Sequence, residues 1–197
     1  DITDSGNVMV DGSTVLNAGT GNVTLDGTGN DFKGVVDVTS AGDVNISDVN
    51  NLELGNIDIT GNLQASAADL TVNDLDGGSQ DIVLVADDLT IKGRIEGSGN
   101  LVLAPTTAGV DINVATSANA TGDVDGDMNL SADELAHILD GFANVQIGDD
   151  TTTGNITVGA AAGNPLTLQD NTTLTTTGAV DINTAVNTGG NTVTLDV

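Results

Sequence analysis

The chain has 197 residues, 38% of them hydrophobic, with two Phe, no Tyr, no Trp and no Cys, and it sets 29 acidic residues against three basic ones for a formal net charge of −26. Nothing in such a chain could neutralise phosphates, so nucleic acid and anionic membrane surfaces are excluded as partners, and a disulfide framework is excluded by the missing Cys. A core built almost entirely from Val, Ile, Leu and Ala suits a narrow repetitive bore better than an irregular globular interior, which large aromatics normally fill.

In chain order the readable elements are short alternating runs at residues 8–10, 23–25, 35–38, 44–46, 52–54, 57–59, 82–85, 89–91, 101–103, 110–114, 145–147, 156–158, 166–168, 180–182 and 193–195. Alternation such as Val44-Asn45-Ile46 marks strands with one buried and one wet face. A recurring phrase opens many of them: Gly6-Asn7-Val8, Gly21-Asn22-Val23, Gly42-Asp43-Val44, Gly61-Asn62-Leu63, Gly99-Asn100-Leu101 and Gly154-Asn155-Ile156. Gly21 to Gly42 is 21 residues, Gly42 to Gly61 is 19, and Gly61 to Gly99 is twice 19, which leaves room for an unmarked copy at Gln80-Asp81-Ile82. A fixed period near 20 with short strands is the pattern of a stacked solenoid. The expected fold is therefore all-β: a single parallel β-helix over residues 1–197, with about nine rungs of roughly 20 residues, each advancing about 4.8 Å. Val8, Val23, Val44, Leu52, Ile57, Leu63, Ile82, Leu89, Leu101 and Ile112 are expected to face inward. A β-sandwich is the structural alternative, but it calls for longer strands and Asn-Gly hairpins.

One stretch departs from the pattern. Residues 131–141 predict a helix, with Ser131 and Glu134 spaced as a capping box, Leu130 and Leu135 placed for a hydrophobic staple, and Gly141 as the stop. Leu135, Ile138, Leu139 and Phe142 share one face of it. Residues 121–144 accordingly read as an insertion between rungs.

Within that insertion, Asp123, Asp125, Asp127, Asn129 and Glu134 match an EF-hand calcium loop at positions 1, 3, 5, 7 and 12. Alternating hard oxygen ligands would wrap the ion and the final Glu would close it, making calcium the one candidate cofactor. Met128 stands where that loop needs Gly, and residues 115–122 do not read as an incoming helix. Against calcium stands a plainer reading, a capping-box Glu beside a solvated turn. Asp26-Gly-Thr-Gly-Asn-Asp31 reads as a Gly-rich corner rather than a calcium repeat, because Lys33 replaces the required apolar residue. Asp87-Asp88 and Asp149-Asp150 are not carboxylate pairs, since adjacent strand residues point to opposite faces. His137 has no nucleophile partner, and no catalytic residue is assigned. Asn22, Asn45, Asn119, Asn155 and Asn171 lie in Asn-x-Ser/Thr sequons, which the repeat generates by itself; side chains stacked inside the turns are their expected role, glycosylation the alternative.

The run Asn30-Asp31-Phe32-Lys33-Gly34-Val35-Val36, with Gly42-Asp43-Val44-Asn45-Ile46, Asn51-Leu52-Glu53-Leu54-Gly55 and Gly61-Asn62-Leu63, resembles giant bacterial surface proteins of the filamentous-haemagglutinin type. Leu130-Ser131-Ala132-Asp133-Glu134-Leu135, leading through Asp140-Gly141-Phe142 into Val145-Gln146-Ile147-Gly148, resembles an element found between rungs of such proteins. The resemblance covers most of residues 20–160. It implies a right-handed β-helix, export across a bacterial outer membrane, and adhesive or structural work at the cell surface. The expected function is thus a non-enzymatic segment of an extracellular adhesin or biofilm matrix fibre, with a polysaccharide-binding or polysaccharide-cleaving module as the alternative. Expected partners are further rungs of a longer chain or other copies joined end to end, and cell-surface glycans. No apolar run approaches the roughly 18 residues that span a bilayer, so the export signal and anchor are expected to lie elsewhere.

Overall fold

A computed structural model describes residues 1–116, 126–159 and 166–197. Every pairing between its strands is parallel, and each strand stacks on a strand of a neighbouring rung. The fold is a parallel β-helix, as the period requires.

Among the described residues the first wall has nine strands, one for each of nine rungs. Ile2, Val23, Val44, Leu63, Ile82, Leu101, Val145, Thr172 and Val193 lie directly over one another. The second wall stacks Leu52 on Leu70 on Leu89, and Leu54 on Val72 on Ile91. The third stacks Leu16, Val38, Ile57, Leu75, Ile95 and Ile138. The inward members of the three walls meet in a continuous bore: Leu63, Leu70, Ile82, Leu84, Leu101 and Leu103 expose 1% of their surface or less. Of the residues expected to face inward, all are buried except Val8, which is half-buried against the core. The unmarked copy is real, because Ile82 sits in register between Leu63 and Leu101.

The Gly-Asx phrase does not mark a single place in the rung. Ile156 pairs with Ile112 in another sheet, and Met9, beside Val8, pairs with Asp31. What the phrase encodes is a corner, and any corner that precedes a strand can use it. At two of its copies the Gly is a steric requirement: a Cβ at Gly99 would run into the Gln80 carbonyl oxygen of the neighbouring rung, and one at Gly154 into that of Val110.

The wall above the fifth rung is not laid down in chain order. Ile112–Thr116 lies between Met128–Ser131 and Ile156–Val158, although Met128–Ser131 follows it in sequence. Met128–Ser131 lies against Ile82–Ile91, so the chain leaves a level vacant after Ala104 and returns to fill it. Ile112–Thr116 carries a register shift at Ala115, whose φ is 56°.

The helix expected over residues 131–141 is a single turn, α1, at Ala132–Leu135. Its capping box is formed: Ser131 Oγ accepts from the Glu134 N–H, and the Glu134 carboxylate accepts from the Ser131 N–H. It stops early because the third wall takes the chain. Ile95 donates to the His137 carbonyl and Leu139 donates to the Ile95 carbonyl, which fixes Ile138 as a bridge residue on Ile95. An α-helix would need those same backbone groups for its own bonds.

These contacts separate two glycines that look alike in sequence. Gly99→Ala is expected to cost about 1–3 kcal/mol through overpacking. Gly6→Ala meets nothing within 4 Å and should stay within about 0.5 kcal/mol of the wild type. Urea unfolding of the two variants measures the difference.

Candidate functional site

The corner before the first wall carries a ladder of side chains. Asp1 Oδ1 accepts from the Asn22 N–H at 2.8 Å, Asn22 Oδ1 from Asp43 at 2.9 Å, and Asp43 Oδ1 from Asn62 at 2.9 Å. Asn62 Oδ1 then accepts from Asp81 at 3.1 Å, and Asp81 Oδ1 from Asn100 at 2.8 Å. Each acceptor satisfies a corner N–H that the strand ladder does not use. Later rungs repeat the device, with Asp111 accepting from Asn155, Asn155 from Ala179 and Asn171 from Thr192. Asn22, Asn155 and Asn171 are therefore stacked corner residues, as expected for three of the sequons.

Along this ladder Asp and Asn alternate without interruption from Asp1 to Asn100. Carboxylates on adjacent rungs, about 4.8 Å apart, would repel by about 1 kcal/mol even in water. Alternation doubles the separation to about 9.6 Å, close to one Debye length at physiological salt. The intervening amides also donate: Asn22 Nδ2 to Asp43 at 3.4 Å and Asn100 Nδ2 to Asp81 at 3.0 Å. Chain-wide neutralisation is slight, since Lys33, Lys92 and Arg94 form exposed pairs with Asp11, Glu53 and Glu96. Exposed pairs of this kind contribute little.

Beside the corner ladder runs the outward row of the first wall: Thr3, Thr24, Asn45, Gln64, Val83, Val102, Gln146, Thr173 and Thr194, again in register. No member is charged. Between this row and the corner lies a shallow trough of about 370 Å³, walled by Asn22, Asp43, Asn62 and Asp81 on one side and by Thr24, Asn45, Gln64 and Val83 on the other.

Of the residues predicted to hold calcium, Asp123 and Asp125 lie outside the described residues, as does Asn119 of the sequons. Asp127, Asn129 and Glu134 are described. Asn113 Nδ2 donates to Asp127 Oδ2 at 3.2 Å and to Asn129 Oδ1 at 3.0 Å. Glu134 is buried, and both its carboxylate oxygens are engaged. Oε2 accepts from the Ser131 N–H at 2.9 Å and its hydroxyl at 2.8 Å, and Oε1 accepts from the Ile91 N–H at 3.2 Å. His137 Nδ1 completes the arrangement by donating to the Ile91 carbonyl at 3.2 Å. Two side chains thus stand in for the strand that would otherwise pair with Ile91 where the wall gives way to α1. The sequence signalled the capping box but not this second task. Among the described residues no group of three or more His, Asp or Glu side chains is placed to hold a metal ion.

Asp87-Asp88 lies within the strand Ile82–Ile91, where Asp87 reaches Thr107 of the next rung, and Asp149-Asp150 builds a turn. Burial raises the Asp87 pKa, but hydrogen bonds from Thr107 and Thr106 outweigh it and hold the carboxyl below its ordinary value. Asp149 behaves likewise through Thr151 and Thr152. Asp170 goes the other way. Burial raises its pKa first, and the neighbouring Asp140 carboxylate raises it further, against opposing bonds from the Gly141 and Phe142 N–H groups. It borders a cavity of about 30 Å³ lined by Leu135, Ile138, Val145 and Leu168, a space for one water and not for a substrate.

A family model described as repeats of unknown function (DUF5649) matches residues 1–39 and 41–91. These are the first five rungs, the part in which the period and the corner ladder are most regular. No curated protein and no solved structure matches the chain.

Two outcomes follow from the electrostatics. Asn62→Asp keeps the acceptor but places carboxylates on three successive rungs, so it should destabilise by about 2 kcal/mol at low ionic strength; thermal melts should recover most of the loss at high salt. For Asp170 the folded-state pKa is raised, so the folded state holds its proton to higher pH than the unfolded chain does. Stability is then lost as pH rises from the ordinary Asp value through the raised one. Asp140→Asn relieves that, and should raise Tm at pH 7 by roughly 2–4 °C, with the gain vanishing near pH 4.

Proposed function

We propose that the chain is a non-enzymatic structural segment of an extracellular rod, of the kind found in bacterial surface adhesins or biofilm matrix fibres. The observation that carries this reading is the unbroken nine-rung first wall beside a continuous, largely aliphatic bore. Such a stack gives a rod on the order of 40 Å long at about 4.8 Å per rung, stabilised by nearest-neighbour contacts that additional rungs can extend without limit. An outer milieu rich in salt or divalent cations suits a net charge of −26, because screening lowers the self-repulsion. The missing thiols suit a large bacterial surface protein. No helix among the described residues is long and apolar enough to cross a membrane.

Its partners in this reading are axial. Met9 and Val15 near one end of the stack, and Ile182, Leu195 and Val197 near the other, are exposed by 45–75%. Terminal strands of a stack also offer unpaired backbone groups. Further rungs of a longer chain, or another copy joined end to end, would cover both. Electron microscopy of the 197-residue chain should show unbranched rods in multiples of about 40 Å, and Ile182→Asp with Leu195→Asp should reduce them to single units. Wild-type particles of one unit length at every concentration would overturn the axial reading.

A further inference from the structure

We propose that the outer surface of the first wall is a docking face for a second copy of this chain, packed side by side with the two rods antiparallel. The inference rests on the fold and not on the adhesin or fibre reading.

Two rods of charge −26 repel wherever carboxylates meet, so lateral contact needs a strip without them. The outward row of the first wall is such a strip across all nine rungs. Its composition is also self-complementary. A two-fold axis passing between the fifth and sixth rungs, parallel to the strands, sets Val83 against the second copy's Val102 and Gln64 against its Gln146. Farther out, Asn45 meets Thr173 and Thr24 meets Thr194. Each of these contacts occurs twice, which is what an isologous interface demands. The centre is apolar, formed by the half-buried Val83 and Val102, and the periphery carries amides and hydroxyls. That is the distribution of a protein–protein interface: apolar core, polar rim.

The corner ladder selects this arrangement over its neighbours. In it, Asp81 faces the second copy's Asn100 and Asp43 faces Asn171, so each carboxylate meets an amide. Moving the axis by half a rung would set Asp81 against Asp81. Rods side by side in parallel would instead lay Asp81 over Val85, burying a carboxylate on an apolar side chain. The trough beside the corner gives the opposing side chains room to enter. In the chosen register one kind of like-charge contact remains, Asp26 opposite Asp196, made once at each end of the overlap, where solvent screens it.

Eight rungs overlap, a strip of about 38 Å by 13 Å at ordinary strand dimensions. That buries roughly 1,000 Å² in total, at the lower bound for a specific interface. The dimer is therefore weak, and salt strengthens it by screening the overall repulsion, opposite to an interface held by ion pairs.

The native chain has no Cys, so disulfide trapping reads the register directly. Under mild oxidation at high salt, a mixture of Gln64→Cys and Gln146→Cys chains is expected to give a covalent dimer at least tenfold faster than either variant alone. End-to-end joining cannot bring these two positions together, so failure here and failure of the axial reading are separate results. Val83→Asp, an outward substitution, should abolish the salt-promoted dimer in sedimentation velocity while leaving the circular dichroism spectrum unchanged. Crosslinking of Gln64→Cys with itself as fast as in the mixture, or a wild type that stays monomeric across salt and concentration with no crosslink in the mixture, would overturn the proposal.

Discussion

Parallel strands stacked in register place every residue about 4.8 Å from its counterpart one rung away, and the structure depends on what that distance permits. Aliphatic side chains repeated at this spacing fill most of the bore, as Leu63, Ile82 and Leu101 do on the first wall, with Phe32 and Phe142 the two aromatics in the core. Glycine becomes obligatory wherever a corner brings a Cβ onto a neighbouring carbonyl, as at Gly99 and Gly154. Charge becomes the chief difficulty, because a conserved position in a repeat is a column of identical neighbours. The Asp–Asn alternation from Asp1 to Asn100 meets that difficulty while keeping one acceptor per rung for the corner N–H groups.

The same constraint explains the irregular sixth rung. A parallel wall cannot lose one strand without orphaning a row of backbone groups on each side. When the chain skips a level after Ala104, Met128–Ser131 fills it, and at its end the Glu134 carboxylate and His137 imidazole take over the N–H and C=O of Ile91. Two side chains and one helical turn thereby close a gap in the hydrogen-bonding ladder. A functional loop and a structural repair look alike in sequence here, since Asp and Glu at alternating positions suit a calcium ion as readily as a cap.

Surface character follows from the walls as well. A rod this acidic would be expected to keep its distance from copies of itself, yet the outward row of one wall is neutral from Thr3 to Thr194. Charge on a solenoid is therefore distributed by column: the corner columns hold carboxylates and the central column of the first wall holds none. The placement of 29 acids thus matters more to association than their number.

The amino-acid sequence by itself determined the architecture. A period of 19–21 residues with apolar alternation has one compact solution, and Ile82 fell into register where the unmarked copy was expected. The capping box at Ser131 and Glu134 was equally legible, because it is a local contact between residues three apart. Tertiary structure decided the rest. That Gly154-Asn155-Ile156 turns a different corner from Gly99-Asn100-Leu101 depends on which wall each strand joins. The helix of residues 131–141 reads well along its length, but it ends at Leu135 because Ile95, far away in sequence, claims Ile138 and its neighbours. The leap of Ile112–Thr116 over Met128–Ser131 leaves no local trace, for strand order within a wall is fixed by pairing between distant rungs and not by the residues of any one of them.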